Sequence, residues 1–200
     1  MASKSKQVMK KAILTENPVL RQILGICSAL AVTNLMMNSL IMGLALTFVT
    51  GLSSFFISAA RKYTPKHIRM IVQTMIIAVL VIVVDVLLRA FYPTMSKALG
   101  PYVGLIITNC IIMGRAEAFA MNNPPVLAFL DGVASGIGYT LVLLAIAFVR
   151  ELLGFGSLFG FPVLGASWTN WTLMIMPPGA FFMLGILIWI TNNKKEGGQA

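Results

Sequence analysis

Residues 102–121 read Tyr102-Val-Gly-Leu-Ile-Ile-Thr108-Asn-Cys110-Ile-Ile-Met-Gly114-Arg115-Ala-Glu117-Ala-Phe-Ala-Met121. The run has the length of a bilayer span, which takes about 20 mainly apolar residues. Its interior contradicts an ordinary span. Thr108-Asn109-Cys110 interrupts it, and Arg115 and Glu117 place two charges where a lipid-facing helix tolerates neither cheaply. A second defective run, 23–35, is apolar but short, and it stops at Thr33-Asn34. Four complete spans surround these two: 39–60, 68–88, 126–149 and 171–191. Each half of the chain therefore holds one broken segment followed by two complete ones, within about 19–92 and 99–192. Interrupted segments at corresponding places in two halves point to a repeat, and an odd number of crossings per half inverts the second copy. The expected fold is an all-α integral membrane protein of six transmembrane segments, arranged as two inverted three-helix repeats in which segments 1 and 4 are broken half-helices. Residues 1–22 form a basic leader, 23–92 and 99–192 the two repeats, and 193–200 a tail.

Composition agrees. Of the 200 residues 58% are hydrophobic and 10% charged, against roughly 45–50% and about 25% in soluble domains. Fifteen Lys and Arg against six Asp and Glu give a formal charge of +9. In a soluble chain that excess would suggest nucleic acid; here it sits in short hydrophilic breaks and sets orientation instead. These numbers exclude a secreted disulfide scaffold, a nucleic-acid-binding module, a disordered tail and an enzyme with a soluble catalytic domain.

The leader carries Lys4, Lys6, Lys10, Lys11 and Arg21 without the apolar stretch or small-residue site of a cleavable signal. It reads as a retained, partly amphipathic segment on the membrane surface. Arg61, Lys62, Lys66 and Arg69 fill the second break, and Lys194 and Lys195 the tail, so eleven basic residues share one face. The opposite face has only Arg89, Lys97 and Arg150. Both termini of this multi-pass chain are expected in the cytoplasm.

No phosphate-cradling Gly loop, dinucleotide fingerprint, metalloprotease His pair or nucleophile elbow is present, and the lone His67 lies in a basic loop. No hydrolase or kinase reading survives. The two cysteines, Cys27 and Cys110, are far apart in sequence and form no local metal spacing. A free cysteine in an apolar segment is usually a small hydrophobe. These two, however, fall in the two broken segments, each among small or polar residues, with Ala31 and Gly114 one turn on, where something bulky would have room. As metal ligands two thiolates are half a site, so a partner chain would supply two more, and helix amino termini would offset part of a cluster's negative charge. Asp85 lies four residues before Arg89, the spacing of an ion pair on one helix face. Arg115 and Glu117 point apart, so each needs another partner. Asp131 precedes Gly132, Gly136 and Gly138, whose simplest use is close helix packing. Acidic groups inside spans are functional candidates by default, which makes Asp85 and Asp131 candidates for cation passage or subunit contact.

The string Gly104 to Ala120 resembles the small integral-membrane subunits of the sodium-translocating NADH:quinone reductase and of the related Rnf electron-transport complex. Leu24-Gly-Ile-Cys-Ser-Ala-Leu-Ala-Val-Thr33, Phe129-Leu-Asp-Gly132, Arg150-Glu-Leu-Leu-Gly154 and Pro177-Pro-Gly-Ala-Phe-Phe182 extend the likeness over nearly the whole chain. The short fifth loop, the short tail and Ile77-Ala-Val-Leu-Val-Ile-Val-Val-Asp85 look more like the sodium pump's form than like the Rnf paralogue, the E subunit of that complex. The resemblance implies a hetero-oligomer with subunits A, B, C, E and F, in which Cys27 and Cys110 ligate a [2Fe–2S] cluster shared with the sister E subunit. Electrons would pass from the NADH-oxidising subunit, with its flavin and iron–sulfur centre, towards flavin in the C subunit and on to ubiquinone, coupled to sodium export. NADH, flavins and quinone would be bound by other subunits, and this chain would relay electrons without being catalytic alone. The competing reading is a stand-alone inverted-repeat secondary transporter, which would not need its cysteines.

Overall fold

A computed structural model describes residues 19, 22–91, 100, 102, 104–158, 161–162 and 172–196. Most of the basic leader and the end of the tail lie outside the described residues, as does Lys97. Among the described residues the regular structure is helical apart from a two-residue antiparallel pairing of Ser157–Leu158 with Phe161–Pro162. Helix α1 spans Ile26–Val32, α2 Met36–Ala60 and α3 Arg69–Phe91. Helix α4, Cys110–Arg115, continues as a π-helical turn over Ala116–Ala120; α5 follows at Pro125–Phe155, α6 at Thr172–Ile175 and α7 at Pro177–Glu196.

Among the described residues three helices, α2, α3 and α5, are long and apolar enough to cross a membrane. The 31 residues of α5 measure about 46 Å at the α-helical rise, more than the roughly 30 Å of a hydrocarbon core. Apolar character alone ends this span at Val149, but the helix runs on through Arg150 and Glu151 to Phe155, because both charges find partners inside the protein. The first broken segment separates into α1 and the turn at Thr33-Asn34. The fourth is helical over residues 104–107, opens at Thr108-Asn109 and restarts at Cys110. The last segment, expected to be continuous, is also interrupted, at Met176 between α6 and α7. Pro177-Pro178 explains it, since proline cannot donate to the preceding turn and bars helical geometry from the residue before it.

Helices α2 and α5 pack most extensively, and small residues set their approach. A Cβ on Gly43 would lie 2.5 Å from the Thr140 side chain, and one on Gly136 only 2.6 Å from the Cα of Thr47. Farther along, Gly51 lies against Val133 and Gly132 against Ser54. As numbering rises on α2 it falls on α5, so the helices are antiparallel. Thr47 donates to the Gly43 carbonyl and Thr140 to the Gly136 carbonyl, both at 2.8 Å, and the two hydroxyls stand 3.3 Å apart. Gly-x-x-x-Thr in each helix thus meets its counterpart about a local two-fold. The close-packing reading of Gly132 and Gly136 holds. Helix α3 buries only one stripe, Gln73, Ile77, Val81 and Val84, and turns Met75, Val79, Ile82 and Val86 outward. An apolar helix exposed on this scale faces lipid or another chain.

Gly136→Ala is expected to destabilise the chain by about 1–3 kcal/mol, since the clash is with backbone that cannot rotate away. Gly185→Ala, where a Cβ meets nothing within 4 Å, is the control. Thermal unfolding in detergent should separate the two, and equal midpoints would reject this account of the α2–α5 contact.

Candidate functional site

The two broken segments meet. Gly25, the residue before α1, takes a left-handed φ of 81°, and its N–H donates to Cys110 Sγ at 2.8 Å across 85 positions of sequence. A side chain at Gly25 would sit 2.5 Å from Ile111 Cδ1 and 3.0 Å from the Tyr139 ring, so glycine is required by conformation and by space. Ile23 also has positive φ, 55°, rare for a β-branched residue, so the chain enters α1 through a sharp reversal. Cys27 follows in the first turn of α1, and Cys110 opens α4. Both thiols therefore leave the backbone at helix starts, where N–H groups lack intrahelical acceptors. Asn109 caps α4 by accepting from the Ile111 N–H at 3.0 Å.

Behind the thiols lies a satisfied polar cluster. Ser28 donates to the Gly25 carbonyl at 3.1 Å, Asn109 Nδ2 donates to Ser28 Oγ at 3.0 Å, and the Tyr139 hydroxyl stands 2.5 Å from the same oxygen. A serine hydroxyl has one proton and two lone pairs. Its proton goes to Gly25, so Tyr139 must donate. Cys27 is exposed and Cys110 half-buried. Among the described residues no group of three or more His, Cys, Asp or Glu is placed to hold a metal. Two thiols, one exposed and the other half-buried and receiving a backbone N–H, suit half of a four-thiolate site. The room expected beside Gly114 is smaller than the sequence suggests, because Leu24 Cδ1 stands 3.1 Å from where a Cβ would be.

The charges resolve into pairs. Arg115 donates from Nε to Asp131 Oδ2 at 2.9 Å and from its terminal nitrogen to Oδ1, a buried fork-to-fork contact, and its guanidinium lies 5.6 Å from the Phe119 ring. Glu117, pointing the other way, takes Arg69 and, at 3.0 Å, Gln73 Nε2. Both residues thus find the separate partners their spacing requires. Asp85 and Arg89 pair at 2.8 Å with the arginine 69% exposed. Sequence reasoning missed the next two. Arg150, set at a loop edge on apolar character, is buried and donates to Thr33 Oγ1 at 2.6 Å and to the carbonyls of Met174 and Ile175 at 3.0 Å. A cation there meets the unpaired carbonyls at the end of α6. Glu151, also buried, accepts from the Met36 N–H at 2.7 Å and so caps α2. Their adjacency at the end of an apolar run was the available signal.

The fold and the site define a bundle of apolar helices in which two interrupted segments, each carrying one cysteine, meet through the Gly25–Cys110 hydrogen bond. The family described as Rnf-Nqr subunit, membrane protein, matches residues 5–188. The D subunit of the Na(+)-translocating NADH-quinone reductase of Pseudoalteromonas translucida is 52% identical over 196 residues, covering 96% of this chain and 93% of that one. The protein of the same name from Shewanella sp. (strain W3-18-1) is 52% identical over 199 residues, covering 97% and 95%. The chain belongs to the Rnf-Nqr family of membrane subunits.

Proposed function

We propose that this chain is a membrane subunit of a sodium-pumping NADH:ubiquinone reductase in the bacterial inner membrane, and that Cys27 and Cys110 hold half of an intramembrane [2Fe–2S] cluster. Two thiolates of the sister E subunit complete the site, within a complex that also contains subunits A, B, C and F. The observation that carries the reading is the hydrogen bond from Gly25 N–H to Cys110 Sγ, because it joins the two cysteine-bearing breaks from opposite halves of the chain. The names of the relatives support the sodium pump over the Rnf complex. A bound cluster would supply one-electron storage between the NADH-oxidising and flavin-bearing subunits. This chain's part is to hold two sulfurs, the exposed one of Cys27 and the half-buried one of Cys110, the latter receiving the Gly25 N–H.

Six crossings as two inverted repeats complete the proposal, with the boundaries 1–22, 23–92, 99–192 and 193–200. The antiparallel α2–α5 contact and its reciprocal Gly-x-x-x-Thr pairs support inversion, since equivalent spans of inverted repeats run in opposite directions. Reporter fusions at Asn192 and near Asn38 are expected to report cytoplasm and periplasm respectively. A periplasmic tail would overturn the count.

Iron and acid-labile sulfide in the purified complex test the cluster. The Cys27→Ser/Cys110→Ser double variant is expected to lose one [2Fe–2S] equivalent per complex relative to the native protein. Equal iron in both would reject the reading.

Asp85 and Asp131 are the candidate sodium contacts of this chain, with the main conduit in the B subunit. Because each is already paired with arginine, a cation reaches either carboxylate by exchanging with a guanidinium. The Asp85–Arg89 pair is the easier to open, because its arginine is largely uncovered by this chain whereas the Arg115–Asp131 pair is buried within it. Asp85→Asn is therefore expected to assemble with its iron intact and to show a weaker sodium dependence of turnover. Unchanged sodium dependence in a normally assembled complex would remove Asp85 from the pathway.

A further inference from the structure

We propose that Tyr139 is a positioning residue for the two thiols, acting through Ser28 and Gly25. This inference rests on the [2Fe–2S] reading above. Tyr139 is fully buried in the middle of α5, where a hydroxyl needs a partner to offset its loss of water. That hydroxyl donates to Ser28 Oγ, whose own proton is committed to the Gly25 carbonyl. Gly25 in turn aims its N–H at Cys110 Sγ. Asn109 closes the loop by donating to Ser28 while capping the helix that Cys110 begins.

The proton and both lone pairs of Ser28 Oγ are therefore used, and the links join different elements. Tyr139 comes from α5, Ser28 from α1, and Asn109 from the break before α4. The Tyr139 ring also forms part of the wall against Gly25, 3.0 Å from where a Cβ would be. The phenol thus fixes the Gly25 peptide by contact on one side and, through Ser28, by hydrogen bonding on the other. Hydrogen bonds to the sulfurs are among the factors that set iron–sulfur potentials. An N–H donor favours the reduced cluster, which carries more negative charge on sulfur. Removing the tyrosine hydroxyl loosens Ser28, lets the Gly25 N–H drift from Cys110 and lowers the midpoint potential.

The test is an EPR-monitored redox titration of the purified complex with Tyr139→Phe, Ser28→Ala and the double variant, with iron and acid-labile sulfide measured alongside. Thr74→Val, which removes a hydroxyl bonded only within α3, is the control. We expect full iron content and a downward shift in both single variants, approaching a ten-fold change in the oxidised-to-reduced ratio at fixed poise, about 59 mV for a one-electron couple. The double variant should shift no further than the larger single, because the two hydroxyls act in series. Loss of the cluster from Tyr139→Phe or Ser28→Ala in an assembled complex also supports the inference, since one hydroxyl has then displaced the thiols. Potentials equal to that of Thr74→Val, with iron retained, would overturn the positioning role and leave the relay reading standing. Native iron content unaffected by the double cysteine variant would overturn both.

Discussion

Replacing Cys27 or Cys110 singly with serine is expected to abolish NADH-driven quinone reduction and the membrane [2Fe–2S] signal, while NADH oxidation by an artificial acceptor continues at the native rate. A seryl hydroxyl does not deprotonate readily enough to replace a thiolate on iron. The surroundings make the result interpretable. Cys27 is exposed, so its sulfur is not core filling, and a serine at 110 can still accept from the Gly25 N–H. The helix starts therefore survive, and lost activity reports a lost ligand. Artificial-acceptor reduction persists because the flavin that oxidises NADH belongs to another subunit in this reading. Retained iron together with retained quinone reduction in both variants would end the relay proposal.

Arg115→Met is expected to cost about 3–5 kcal/mol and to prevent accumulation of assembled complex, because it removes the two-pronged cationic partner of the buried Asp131 carboxylate. Arg115→Lys should recover only part of the loss, since an ammonium cannot reproduce the two-pronged contact with both carboxylate oxygens. Combining Arg115→Met with Asp131→Asn removes both charges and keeps an amide at position 131, so assembly should return towards native levels. Yield on size-exclusion chromatography and the thermal midpoint measure these steps. The double variant then separates structure from transport: sodium dependence lost in an assembled complex supports Asp131 as a cation contact, and native dependence leaves it as half of a structural pair. Normal assembly of Arg115→Met alone would contradict the burial argument.

What the sequence determined is what adds up along a line. Transfer of apolar side chains out of water is roughly additive, so the long spans α2 and α3 and the start of α5 were readable to within a few residues, as was the interruption at Thr108-Asn109, while the end of α5 ran on past Val149 to Phe155. The cysteines stood out because they were the only two and each sat in a break. The incompatible directions of Arg115 and Glu117 followed from helix geometry. The Pro177-Pro178 break and the repeated Gly-x-x-x-Thr of Gly43–Thr47 and Gly136–Thr140 were also on the line, though neither is informative until a partner is seen. Only tertiary structure decided the pairings: Arg115 with Asp131, Glu117 with Arg69, Arg150 with Thr33 and the end of α6, and Gly25 with Cys110. A buried charge takes whichever partner the helix crossings bring near, and those crossings depend on how closely glycine lets two backbones approach. That distance is a property of two helices at once, and no span read by itself contains it.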